Sequence, residues 1–157
     1  MNYNSAIHYL PHDAPMVMIE NVLLVDDETC ICRVEVNKDS ILAPFLDDQF
    51  SLPNFYAIEL MAQTIGVWNG YHGIKENHHT KLGMLLGGRT IKMGIKRFPH
   101  GSILEIHAKL VLADKKLANF DCQIKMNGIS IATGKLNVYE PDDTELAHLF
   151  NRKHVGE

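Results

Sequence analysis

Basic blocks, long apolar runs and a cysteine framework are all missing from this chain of 157 residues. The net charge is −4 and no cluster of lysines and arginines stands out, which argues against nucleic acid as the main partner. No apolar run reaches the ~18–20 residues that a bilayer-spanning helix needs, so no membrane partner is expected. Residues 1–9 have neither a basic n-region nor an apolar h-region, and no secretory signal is expected. The three cysteines, Cys30, Cys32 and Cys122, are odd in number and lack zinc-ligand spacing. Cys30 and Cys32 would share one face of a strand rather than bridge, so reduced thiols in a cytoplasmic protein are expected.

What is present is ordinary for a soluble domain: 46% apolar and 22% charged residues, in a length that suits one domain with a real core. One stretch departs from the ordinary. After Pro53 the chain runs Asn54-Phe55-Tyr56-Ala57-Ile58-Glu59-Leu60-Met61-Ala62-Gln63-Thr64-Ile65-Gly66 without another proline. A helix this apolar is a buried helix, and it carries a carboxylate, Glu59, with an amide, Gln63, one turn later. Burying an ionised carboxylate is costly unless it is paired or has a task. Three readings stay open at this point: a satisfied partner in the core, an exposed edge, or catalysis.

The remaining elements follow from periodicity. Residues 16–25 read as a buried strand, and residues 29–36 alternate, with Cys30, Cys32, Val34 and Val36 on one face, so the two form a hairpin. Residues 37–51 read as an ordered loop. Ser51 and Asn54 are candidate N-caps for a helix continuing to about Tyr71, where Gly70, Gly73 and the polar 76–79 segment are expected to end it. Strands are expected over 81–93, with a bulge or close backbone approach at Gly87 and Gly88, and over 103–112, 117–126 and 129–139. Asn127-Gly128 is a two-residue hairpin signal. Asp142 with Glu145 resembles a capping box for a short helix in a tail over 141–157. The order is two strands, one long buried helix, then about four strands. A sheet that must bury one face wraps around such a helix, which gives a single α+β domain over 1–140 with a hot-dog arrangement.

The residues also resemble a known family. Leu10-Pro11-His12-Asp13-Ala14-Pro15 and the apolar run after it resemble the N-terminal segment of β-hydroxyacyl-ACP dehydratases, which often reads L-P-H-x-x-P followed by a hydrophobic run. Ile58-Glu59-Leu60-Met61-Ala62-Gln63 resembles their E-A-M-A-Q helix motif. Arg97-Phe98-Pro99-His100-Gly101 and Asn127-Gly128 fall where the family has a turn and its last hairpin. The likeness is greatest to the divergent dehydratase-like proteins of aryl-polyene and polyene-pigment clusters. It implies a homodimer, or a heterodimer with a homologous dehydratase, that acts on acyl chains held by phosphopantetheine on an acyl carrier protein, with no cofactor. Glu59 matches the carboxylate that works at the substrate hydroxyl and Gln63 the amide supporting it. Asn54 stands where a glycine N–H polarises the thioester carbonyl, with Phe55 beside it in the substrate-binding region.

The likeness fails at one position. The family's catalytic histidine lies fourteen residues before the glutamate, and that position here is Phe45. No histidine occurs between His12 and Glu59. Three readings follow: His12 supplies the base; a homologous subunit supplies it; or the chain is an acyl thioesterase or a non-catalytic stabilising subunit on the same fold. Other constellations are weaker. His72, His78 and His79 lack a convincing third ligand, so no metal is expected. Gly87, Gly88 and Gly94 lack the strand-to-helix setting of a phosphate cradle. Lys92, Lys96 and Arg97 are expected near the mouth of the site, where they either attract an acidic carrier or form a plain polar edge.

Overall fold

The computed structural model describes residues 3–10, 16–75, 84–114 and 116–139, with the backbone alone at 84–86. Strands β1 (Asn21–Val25) and β2 (Thr29–Glu35) form the first hairpin. A short β3 (Leu52–Pro53) and a 3-10 turn (Asn54–Tyr56) lead into the helix α1 (Ala57–Lys75). Then come β4 (Met84–Met93), β5 (Arg97–Phe98), β6 (Ile103–Asp114), β7 (Leu117–Met126) and β8 (Ile129–Tyr139). Six strands make one antiparallel sheet in the order β1-β2-β6-β7-β8-β4, and β3 pairs with β5 apart from it. Among the described residues the sheet and its one α-helix are those of a hot-dog fold.

The period of the strands decides which face meets the helix. Cys30, Cys32 and Val34 on β2, Leu104, Ile106 and Ala108 on β6, Phe120, Cys122 and Ile124 on β7, and Ala132 and Leu136 on β8 are all buried. From the helix, Leu60, Met61, Thr64, Ile65 and Val67 meet them. Each fully buried Leu or Met is worth ~1.5–3 kcal/mol against exposure, so this face of α1 holds the domain together. Asn127 (φ 54°) and Gly128 (φ 81°) both adopt the left-handed region between paired Met126 and Ile129, as a type I′ turn requires. The expected irregularity in β4 is present as two register shifts, at 85/87 and at 89/92.

Both ends of the helix differ from the sequence reading. Neither Ser51 nor Asn54 caps it: the Asn54 side-chain amide donates to the Ile95 carbonyl at 3.0 Å, and Pro53 stands at the N-cap of the 3-10 turn before the helix, with no side-chain bond. A fixed carbonyl across the sheet edge has outcompeted the local cap. At the other end α1 runs through Gly70 and Gly73 to Lys75. The reason lies far off in sequence. A Cβ on Gly70 would stand 1.9 Å from the Tyr9 carbonyl oxygen, and one on Gly66 would stand 2.8 Å from Leu10 Cδ2. These glycines do not end the helix. They let the chain at 9–10 cross it. The first strand is also shorter than expected: Val17, Met18 and Ile19 are buried, but the ladder starts only at Asn21.

Cys30 and Cys32 do share a face, with Sγ atoms 3.9 Å apart, and all three cysteines are free and buried. The neighbouring Cys32 thiol and burial hold the Cys30 pKa well above the ordinary thiol range, and desolvation pushes Cys122 up to about 12. Such thiols are inert packing. The expected tail helix over 144–150 lies outside the described residues.

Gly70→Ala is expected to lower stability by at least ~2 kcal/mol, because backbone must move to admit the methyl group. Urea unfolding followed by circular dichroism would measure it, and a change below ~0.5 kcal/mol, the size of an ordinary surface substitution, would refute the crossing.

Candidate active site

Glu59 is the third residue of α1 and only partly exposed. A carboxylate in the first helical turn is favoured by the unpaired N–H groups there. One turn on, Gln63 is 1% exposed and would be costly to bury without partners. It has three. Its Nε2 donates to Glu59 Oε1 and to the Met16 carbonyl, each at 2.9 Å, and its Oε1 accepts the Met18 N–H at 2.8 Å. The Met18 bond fixes which end of the amide is oxygen, since only a carbonyl can accept it. Gln63 therefore fastens the catalytic candidate to the segment at 16–18.

The start of the helix is held differently from expectation. The Asn54 backbone N–H donates to the Lys96 carbonyl at 3.1 Å, so in this structure it is engaged rather than aimed at a substrate carbonyl. With both its N–H and its side chain on the 95–96 backbone, Asn54 clamps the helix start to the link between β4 and β5. Phe55 is 66% exposed and its ring lies 4.5 Å from that of Tyr56. Tyr56 meets Phe45 edge-on at 5.4 Å. Phe45 ends a 3-10 turn (Ala43–Phe45), so the loop position where a histidine was expected contributes a half-buried aromatic contact that cannot take a proton.

Of the described histidines, His8 is exposed on the 3-10 turn Ala6–Tyr9 and the other three are engaged elsewhere. His72 Nε2 lies 2.9 Å from the Asp26 carbonyl, His100 accepts the Lys38 N–H at 3.4 Å beside the Phe50 ring, and His107 contacts Glu105 at 2.6 Å. His12, His78 and His79 lie outside the described residues. Among the described residues no cluster of His, Cys, Asp or Glu is suited to a metal ion. Arg97 faces Asp47 at 3.7 Å and Gln49 at 3.4 Å. Lys92 does not stand beside Arg97. It points from the outer face of the sheet, because it is paired with Thr133, whose side chain also faces outward.

Two features escaped the sequence reading. One is the use of the Met16–Met18 backbone as Gln63's partner, although a buried amide in an apolar run already demands partners somewhere. The other is an apolar groove of about 540 Å³, lined by Ile7, Val17, Ile19, Ile41 and Pro44 among others, running alongside that anchor. It is built from segments with no shared period, so no pattern announced it.

The model of the ApeP-like family, described as ApeP dehydratase, matches residues 4–151. The chain belongs to the ApeP-like dehydratase family. It is 44% identical to a chain of the dehydratase heterocomplex ApeI:P from Xenorhabdus doucetiae, with a TM-score of 0.90 over 96% of this chain and 99% of that one. It is 27% identical over 140 residues to the 3-hydroxyacyl-acyl-carrier-protein dehydratase FabZ of Streptococcus sanguinis, covering 87% of this chain and 95% of that protein. Against the FabZ of Psychrobacter arcticus it is 24% identical over 127 residues, 79% and 86% of the two chains. The PaaI protein of E. coli shares the fold alone, at 13% identity and a TM-score of 0.58 over 75% of this chain and 80% of that one. The likeness to β-hydroxyacyl-ACP dehydratases and to the polyene-cluster proteins is thereby shown.

In this ApeP-like chain, replacing Gln63 by Leu would strand the Met16 carbonyl, the Met18 N–H and one oxygen of Glu59 without their present partner. A loss of ~2–4 kcal/mol is expected, with faster hydrogen exchange at the Met18 amide. Unchanged stability together with unchanged Met18 exchange would show that the anchor does not exist in solution.

Proposed function

We propose that this dehydratase-like chain supplies the carboxylate half of a 3-hydroxyacyl-thioester dehydratase and completes its site with a homologous, histidine-bearing subunit. The substrate is an acyl chain carried on the phosphopantetheine arm of an acyl carrier protein, as the names of the FabZ relatives suggest. One observation carries the reading. The chain resembles, along nearly its whole length, a chain of a dehydratase heterocomplex, while its own loop offers Phe45 in place of a base. Among the described residues β4 is an edge strand of the sheet, along which such a partner can extend it.

The chemistry divides between the subunits. The partner's imidazole takes the α-proton, the electron pair forms the Cα–Cβ double bond, and the Cβ–oxygen bond breaks. Glu59 delivers a proton to the departing hydroxyl, directly or through a water, so that water leaves. Gln63 holds Oε1 of Glu59 in place, which matters because a proton donor must be within ~2.6–3.2 Å of its acceptor. Cytoplasmic placement, near the carrier-bound substrate, is part of the same proposal.

A second reading places the base within the chain. His12 stands four residues before Met16, whose carbonyl is bonded to Gln63. The two readings part in one experiment. Incubated alone with a 3-hydroxyacyl thioester, the chain is expected to release no water. Mixed with a His-bearing homologue it is expected to do so, and Glu59→Gln in that mixture is expected to lower turnover by at least ~100-fold. Turnover by the chain alone that His12→Gln abolishes would replace the partner's base with His12. Release of free thiol would make the chain a thioesterase, and full turnover with Glu59→Gln would reduce it to a scaffold.

A further inference from the structure

The net charge of −4 is not spread evenly. On the outer face of the sheet, away from α1, a groove of about 390 Å³ crosses β2, β6, β7, β8 and β4. Lys92, Lys109 and Lys135 border it, Gln123 and Thr133 lie between them, and Asp121 is the one carboxylate in its lining. Among the described residues none of these three lysines makes an ion pair. The nearby His107 contacts Glu105 and adds no unpaired charge of its own. We propose that this groove docks an acidic helix of a protein partner, at a surface separate from Glu59.

The arrangement of the charges selects the occupant. Lys109, Asp121 and Lys135 lie directly across from one another on β6, β7 and β8. Two strand spacings therefore separate the lysine backbones, ~9–10 Å. Carboxylates at i and i+7 of a helix are ~10.5 Å apart along its axis, so a helix laid across the strands meets both ammonium groups. A single phosphate fits badly. The cations stand around the groove rather than converging, and the backbone N–H groups beneath are spent in the sheet ladder. A membrane surface fits badly too, because none of the exposed large apolar side chains lines the groove and three lysines contribute only ~1 kcal/mol each at an anionic bilayer. A second copy of this chain offers no such helix among its described residues, since α1 lies against the inner face. Hydroxyl and amide groups on the floor give a helix polar contacts without demanding an apolar anchor.

The test uses the full chain and a fluorescein-labelled, alanine-rich peptide with glutamates at i, i+4 and i+7, followed by anisotropy at low and moderate salt. Binding is expected to weaken with salt, as for any partly exposed charge contact. The triple variant Lys92→Gln, Lys109→Gln, Lys135→Gln is expected to bind at least ~10-fold more weakly, while Lys38→Gln with Lys75→Gln, away from the groove, binds as the parent does. Circular dichroism checks folding. Should the triple variant not fold, Lys135→Gln is compared with the charge-retaining Lys135→Arg, and only the first is expected to weaken binding. Equal binding by parent and folded groove variants would overturn the proposal. So would displacement of the peptide by an equal concentration of inorganic phosphate, or tighter binding to phosphatidylglycerol vesicles than to the peptide.

Discussion

The bond set of one side chain determines how this molecule is arranged around its candidate site. Gln63 sits inside a helix that has almost no polar relief, and a buried amide left unpaired costs ~1–3 kcal/mol for each unmet group. Its solution is to bond in three directions, to Glu59 on its own helix and to both the carbonyl of Met16 and the N–H of Met18. The backbone at 16–18 cannot join the sheet and serve Gln63 at once, and the β1 ladder accordingly begins only at Asn21. The helix in turn must admit the crossing chain, which is why glycine stands at 66 and 70. Core, crossing and carboxylate position are thus parts of one constraint.

That constraint orients the carboxylate we propose as half of a catalytic pair. Glu59 is fastened from one side by an amide that is itself immobile, which is the preorganisation a proton-transferring group requires. At the start of the same helix the rings of Phe45 and Phe55 each meet that of Tyr56, and Phe45 offers no base. A chain so built suits a shared site. The family assignment and the resemblance to a chain of the ApeI:P heterocomplex point the same way.

What could be read from the sequence was what depends on near neighbours. The Asn127-Gly128 turn is a property of two residues, and β7 and β8 on either side run over the residues that alternation indicates. The irregularity at Gly87 and Gly88 was legible for the same reason. The illegible parts depend on distant chain. Gly70 reads as a helix terminator until the Tyr9 carbonyl is seen against it. Asn54 reads as a cap until the Ile95 and Lys96 carbonyls claim it. Lys92 reads as a neighbour of Arg97 until the sheet register turns it outward. Glu59 and Gln63 were visible as a pair, because i and i+4 share a helix face, but Gln63's other partners lie more than forty residues away.

The central claim is that this chain provides the carboxylate and a homologous subunit the base. Continuous variation of the two proteins at constant total concentration, with the initial rate of 3-hydroxyacyl-thioester dehydration as readout, tests it most directly. The account predicts a rate maximum at equimolar mixing, falling towards zero at the end where only this chain is present. A rate that rises steadily to the pure homologue, or one that is highest for this chain by itself, would contradict it.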